Sequence, residues 1–137
     1  LYVDGSYKKT KEIYSYAFII VKNMNILHKR YGAKKEPKGS KIEHIAGELK
    51  AVIEGIRYIK YKKYINIKIY YDFKGIADLA LLLNCKGRND TTKKYQKFIR
   101  ENMEILNIIF IKVKSHSGNY FNDEVDKLCK EAFYKNN

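Results

Sequence analysis

Apolar positions along this chain change period several times, and each change marks an element. Leu1, Tyr2 and Val3 read as the end of a strand, with Gly5-Ser6 as the bend after it. Ile13 to Val21 (IYSYAFIIV) and Ile26 to Tyr31 are rich in β-branched and aromatic residues. Lys22 to Asn25 separates them, which predicts an antiparallel hairpin. Gly32 to Lys41 holds the one proline, two glycines and four lysines, the composition of a loop. Ile45, Leu49, Val52, Ile56 and Ile59 then recur at spacings of four, three, four and three. That is the buried stripe of an amphipathic helix from about Glu43 to Lys62. Ile65 to Tyr71 alternates as a strand and ends at Asp72. Ile76 to Leu83 predicts a short apolar helix, Asn84 to Thr92 a loop, Lys93 to Met103 a helix and Ile108 to Val113 a strand. Past the turn Ser115 to Asn119, the residues Val125, Leu128, Cys129, Ala132 and Phe133 form a last helical stripe. Asn122 is its expected N-cap, with Asp123 and Glu124 in a first turn that favours acids.

The predicted order is β-β-β-α-β-α-α-β-α. Strands joined by short turns pair antiparallel, and strands separated by helices run parallel through right-handed crossovers. The expected fold is therefore α/β, a mixed sheet flanked by helices, with residues 1–137 as a single domain. A hydrophobic fraction of 45% is enough to build a core. No run approaches the ~18 consecutive apolar residues that span a bilayer, so no membrane partner is expected. No signal-peptide pattern stands at the start. The chain opens at Leu1 already inside a strand, as one domain of a longer polypeptide would. No stable protein partner is evident in the pattern. Two cysteines, Cys85 and Cys129, do not make a disulfide framework and point to a reducing, cytoplasmic compartment.

Charge changes the picture more. A net charge of +13, from 28 basic and 15 acidic side chains, favours polyanion partners through phosphate contact and counterion release. Part of it has a simpler source, because the abundance of Lys, Ile, Asn and Tyr matches an AT-rich coding sequence.

Within this basic chain four acids stand out by position. Asp4 and Asp72 close predicted strands, and in open α/β sheets that edge is where ligands bind. Glu48 lies between Ile45 and Leu49, at the border of the buried stripe. Asp126 lies beside Val125 and Cys129 in the last helix. Singly, each has an ordinary reading: a turn former, a half-exposed helix acid, or an acid that complements the helix dipole. Together they form a hard oxygen-donor set, which suits Mg²⁺ or Mn²⁺ and not zinc.

Four segments, "YVDGSY", "HIAGELKAVIEGI", "IYYDFKGI" and "VKSHSGNYFNDEVDKLCKEA", resemble the successive motifs of type 1 ribonuclease H. They cover nearly the whole chain in the family's order, and the third looks closest to bacterial and viroplasmin-linked members. The resemblance implies a ribonuclease H-like five-stranded mixed sheet, three antiparallel strands and then parallel ones, flanked by helices. It implies an endonuclease that hydrolyses the RNA strand of RNA–DNA hybrids with two Mg²⁺ ions, Mn²⁺ being a possible substitute, and leaves a 5′-phosphate. Asp4 corresponds to the shared metal ligand and Glu48, Asp72 and Asp126 to the other three. His116 matches a mobile histidine that assists proton transfer or product release. Gly5, Ser6, His44 and Asn122 fall along the substrate groove.

The chain departs from the pattern just before Glu48. Glu43 and His44 stand where the family often has Thr or Asn, and Glu43 would repel a DNA-strand phosphate. The long tryptophan-bearing basic protrusion of some members is absent, which leaves Arg88, Asn89, Thr91, Thr92, Lys93 and Lys94 as candidates for the DNA strand. Two other readings stay open: a non-catalytic hybrid-binding module, and a related nuclease of the same fold such as a junction resolvase.

Overall fold

A computed structural model describes residues 1–35, 45–81 and 90–135. Among these residues nine elements follow one another: β1 (Tyr2–Lys8), β2 (Ile13–Lys22), β3 (Asn25–Lys35), α1 (Ala46–Tyr61), β4 (Asn66–Tyr71), α2 (Gly75–Ala80), α3 (Asp90–Met103), β5 (Asn107–Lys112) and α4 (Tyr120–Lys135), with one 3₁₀ turn at Lys9–Lys11. The strands form one sheet in the order β3-β2-β1-β4-β5. β1, β2 and β3 pair antiparallel, β4 runs parallel to β1, and β5 runs parallel to β4. This is the expected mixed sheet, with the first and fourth strands as parallel neighbours.

Two strands outrun their predicted ends. β1 does not stop at Gly5-Ser6 but stays paired with β2 from Tyr2↔Ile19 to Lys8↔Ile13. β3 does not give way to a loop at Gly32 but pairs on to Ile13↔Lys35. The cause is the same in both. The extended start of β2 presents backbone donors and acceptors that need partners, and a glycine in the neighbouring strand does not prevent pairing. At Gly32 the missing side chain makes room for a ring, since a Cβ would lie 2.5 Å from Tyr16 Oη. The hairpin between β2 and β3 turns through Asn23 and Met24, both left-handed at φ 52° and 64°. Two successive positive φ values suit the right-handed twist of the flanking strands.

α1 and α3 cover one face of the sheet. Val3, Phe18, Ile20, Ile67 and Ile69 meet Leu49, Val52, Ile56 and Ile99 in one buried cluster. Each such side chain, fully buried, contributes about 1.5–3 kcal/mol. Tyr95 is fully buried in α3 and donates its hydroxyl hydrogen bond to the Ile76 carbonyl at 2.8 Å, tying α3 to α2. α4 covers the other face, where Phe121, Val125 and Cys129 pack on Tyr2, Ala17 and Ile19.

α4 begins earlier than its sequence signals suggest. Asn122 is not the N-cap: Asn119 is, and its Oδ1 accepts the Asn122 backbone N–H at 3.0 Å. Both residues are good caps, and the choice between them is tertiary. Phe121 must be helical to place its ring against Tyr2, with centroids 5.3 Å apart. Asn122 therefore lies inside the first turn, 2% exposed. α3 likewise starts at Asp90, so Thr91 and Thr92 are helical where a loop was expected. Glu43, His44, Cys85, Arg88 and Asn89 lie outside the described residues.

Candidate active site

Asp4 is inside β1 and not at its end, which corrects the sequence reading. Its place at the edge survives for another reason. β1 and β4 are paired at Tyr2↔Tyr70, and the Tyr70 N–H donates to the Leu1 carbonyl at 2.8 Å. Asp4 and Asp72 each follow that pair by two residues, and β4 ends at Tyr71. The two acids thus stand where the parallel strands part, at the carboxyl edge of the sheet.

Alternation along β1 sends Tyr2, Asp4 and Ser6 toward α4, and Val3 and Gly5 toward α1. Asp126, one turn into α4, meets Asp4 in a side-chain hydrogen bond. Asp126 is also 3.0 Å from Lys130 one turn on. Glu48 comes from the other face, in the first turn of α1. Its approach depends on two glycines. A Cβ at Gly5 would lie 2.1 Å from the Glu48 backbone nitrogen. One at Gly47 would lie 2.1 Å from the Ser15 carbonyl oxygen and 2.9 Å from the Gly5 Cα. Only bare backbone on both sides lets the start of α1 press so closely onto β1 and β2. Gly47 carries no chemistry and did not stand out in the sequence. Gly5 did, and here its lack of a side chain serves helix packing.

The four acids share one electrostatic environment. Burial, above all, pushes the Asp4 carboxyl up to about 9, helped by the hydrogen bond with Asp126 and the charge of Asp72, and opposed by the Gly5 N–H at 2.9 Å. Burial also lifts Glu48 to about 8; its own backbone N–H works downward and Asp72 adds to the rise. For Asp126 burial works upward too, but the hydrogen bond with Asp4 and the Lys130 ammonium outweigh it and hold this carboxyl below its usual range. Two carboxyls cannot share a hydrogen bond without a proton, so one proton lies between Asp4 and Asp126. Glu48 Oε2 is buried with no hydrogen-bond partner.

Behind the acids, Ser15 Oγ and Cys129 Sγ are 3.1 Å apart and fully buried. Burial pushes the Cys129 thiol well up, and Asp4, Glu48 and Asp126 all add to that rise. His116 is exposed in the turn before α4, with left-handed φ of 54°, and its charge bears on Asp126. Ser117 Oγ closes this turn on the Lys114 carbonyl at 2.6 Å, and Gly118 has φ of 87°. Ser6 is half-buried, opposite Ser15. His44, the remaining groove candidate, is not among the described residues.

Among the described residues no group of three or more His, Cys, Asp or Glu side chains forms a ready-made metal cage. The donors nevertheless suit a hard cation in kind. They are all carboxylates, one carries an unpartnered buried oxygen, and two share a hydrogen bond.

A mixed β3-β2-β1-β4-β5 sheet with acids drawn to the parting of β1 and β4 defines the ribonuclease H class of fold. The chain belongs to the RNase H family, whose model matches residues 1–134. It is by that membership a ribonuclease H, a nuclease for RNA–DNA hybrids. RNase H1 of the archaeon Halobacterium salinarum is similar in structure, at TM-score 0.78 and 14% identity over 98% of this chain and 96% of that one. LC11-RNase H1, solved in complex with an RNA/DNA hybrid, is similar at TM-score 0.78 and 19% identity, with 98% and 95% covered. So is the N-terminal RNase H domain of a Mycobacterium tuberculosis protein, solved as a maltose-binding-protein fusion, at TM-score 0.79, 13% identity and 97% and 91% coverage. No curated protein matches the chain by sequence.

Proposed function

We propose that residues 1–137 are one catalytic domain, a metal-dependent endonuclease that hydrolyses the RNA strand of RNA–DNA hybrids and leaves a 3′-hydroxyl and a 5′-phosphate. One observation carries this reading beyond family membership: a buried acid on β1 and half-buried acids on α1 and α4, with Asp72 beside them, gather at one sheet edge of a chain whose net charge is +13. A site of that kind gathers negative charge where a structural role would disperse it, and the basic remainder suits a polyanion.

Asp4, Glu48, Asp72 and Asp126 would hold two divalent ions, Mg²⁺ or Mn²⁺. Bound there, such ions supply Lewis-acid activation of water and charge neutralisation at a phosphodiester. As a ligand Asp4 would be ionised, without the proton it shares with Asp126, and the unpartnered Glu48 Oε2 would be available as a donor atom. In the reaction a water oxygen loses a proton and bonds to phosphorus, the bond to the 3′ oxygen breaks, and that oxygen takes a proton, so that one water is added in all. His116, exposed beside α4, would hold or pass that proton, or ease product release. Gly5, Ser6 and His44 would border the substrate, the backbone at Gly5 and Ser6 reaching the 2′-hydroxyls that separate RNA from DNA; Asn122, expected there from the sequence, is 2% exposed and would not touch it. The buried, free Cys129 is compatible with a reducing, cytoplasmic setting.

The test is Asp72→Asn with a labelled hybrid in Mg²⁺. Wild type should cut the RNA strand and leave duplex RNA, duplex DNA and a four-way junction intact, and EDTA should stop it. The variant should bind the hybrid but cleave it at least about a hundredfold more slowly, the scale at which one charge-stabilising group matters. Cleavage at the wild-type rate by Asp72→Asn would sink the assignment. Binding without cleavage by wild type would favour the non-catalytic module, and junction cutting would favour a resolvase.

A further inference from the structure

We propose that the end of the three-stranded antiparallel half of the sheet is a second contact surface for the substrate's phosphate backbone, formed by Lys8, Lys9, Lys11 and Lys35. The inference rests on the hybrid-nuclease reading and says where the duplex lies beyond the cut.

Strand pairing places these lysines. Past Asp4, β1 and β2 continue through Ser6↔Ser15 and Tyr7↔Tyr14 to Lys8↔Ile13. β3 keeps pace with Tyr14↔Lys34 and Ile13↔Lys35. Paired residues share a face, so Lys8 and Lys35 flank Ile13 in one row. By the two-residue alternation, that row is on the face of the sheet that carries Asp4. Lys9 and Lys11 occupy the connecting turn, which buries no residue and contains one acid, Glu12. Lys9, Lys11 and Lys35 are exposed. Lys8 is half-buried and anchored, its ammonium 5.9 Å from the Phe133 ring centroid and 5.5 Å from that of Tyr134.

Distance suits a duplex. At about 3.3 Å per residue, Lys8 stands ~13 Å from Asp4 along β1. With one phosphate per ~3.4 Å of axis on each strand, that is about four nucleotide steps from the reacting phosphate. The simpler reading is a solvated charged edge. Against it stands the crowding: Lys8 and Lys35 are two strand spacings apart, about 10 Å and no more than a Debye length, and the described residues of these strand ends and their turn hold five lysines and one acid. A polyanion relieves that repulsion and releases counterions as it binds.

The test compares wild type with the triple variant Lys9→Ala, Lys11→Ala, Lys35→Ala, which leaves anchored Lys8 in place. A charge-matched triple, Lys60→Ala, Lys68→Ala, Lys97→Ala, alters exposed lysines away from this end. Each is assayed on a long hybrid of about 20 base pairs and on a short one ending about three pairs from the cut, too short to reach the lysines. Binding is measured in EDTA as a function of salt, and cleavage in Mg²⁺. For the long hybrid, the tip variant should show a salt slope shallower by about two to three and a KM raised about tenfold or more. On the short hybrid it should match wild type, and the control triple should match wild type on both. An unchanged slope and KM on the long hybrid would overturn the proposal. So would equal losses on both lengths, or equal losses from the control triple. If wild type bound the hybrid in this tip-dependent way but never cut it, the catalytic assignment would fail and this one would stand.

Discussion

Asp4 on β1 and Asp126 on α4 share a hydrogen bond across the junction of sheet and helix, with the Asp4 carboxyl held above and the Asp126 carboxyl below the usual range. This fixes how stability should respond to pH. Asp4 at about 9 and Glu48 at about 8 lie above the ordinary carboxylate range near 4. Between roughly pH 4 and pH 9 the folded protein holds protons that the unfolded chain has released, so folding weakens as pH rises through that window. In EDTA the Asp4→Asn variant keeps a hydrogen-bond donor toward Asp126 without the titration. Its melting temperature should therefore gain on wild type steadily from pH 5 to pH 9. Mg²⁺ should stabilise wild type increasingly over the same range, because ligation requires the ionised acids. Thermal melts at several pH values read both effects, and a gap between the two proteins that does not change with pH would refute the shared proton.

Gly47→Ala should damage the site without touching an acid. Its Cβ would come within 2.1 Å of the Ser15 carbonyl oxygen, which is sheet backbone and cannot swing aside. The start of α1 must then back away, carrying Glu48 with it. Overpacking of this kind costs about 1–3 kcal/mol. Urea unfolding should show that loss, and cleavage should fall by about tenfold or more, since an ångström of misplacement is enough. Full activity in a destabilised protein would show that Glu48 does not depend on this contact.

The helices and strands of this fold were legible in the sequence because their apolar periods are strong: of the expected stripe, Leu49, Val52, Ile56 and Ile59 are buried, and Ile45 is half-buried at the N-cap of α1. What escaped was set by partners distant in sequence. Nothing local says that Gly5 and Gly32 lie inside strands, because their pairing comes from β2. Nothing local separates Asn119 from Asn122 as a cap, because Phe121 decides by packing on Tyr2. The acids were legible as a set through their placement and motif. The proton shared by Asp4 and Asp126, the orphan oxygen of Glu48 and the Gly5–Gly47 approach emerge only once β1 is seated between two helices.

Cys129 should behave as an inert thiol. It is fully buried against Ser15, and burial together with three neighbouring acids keeps it protonated. Because the thiolate is the reactive form, a thiol probe should label it only on unfolding. In a Cys85→Ser background, the labelling rate near neutral pH should follow global unfolding and rise with urea as stability falls. Rapid labelling of the native protein would mean that α4 opens away from β2.

Asn119 joins the two halves of the site, and its loss should separate stability from turnover. Its Oδ1 caps α4, and its side chain also hydrogen-bonds with Tyr2, whose ring stacks on Tyr70 with centroids 4.5 Å apart. Asn119 thereby holds the start of the helix bearing Asp126 to the strand bearing Asp4. Asn119→Ala should cost about 1 kcal/mol, the usual worth of an N-cap. Asn119→Asp keeps the capping acceptor, and its charge suits a helix N-terminus, so it should restore most of that stability. It cannot restore an amide donor to Tyr2. If the amide only caps the helix, Asn119→Asp should recover turnover along with stability. If it also aligns α4 with β1, turnover should stay low in both variants while unfolding midpoints recover in the second. The tyrosine contact favours the latter outcome, and urea melts run beside single-turnover cleavage of the hybrid would decide it.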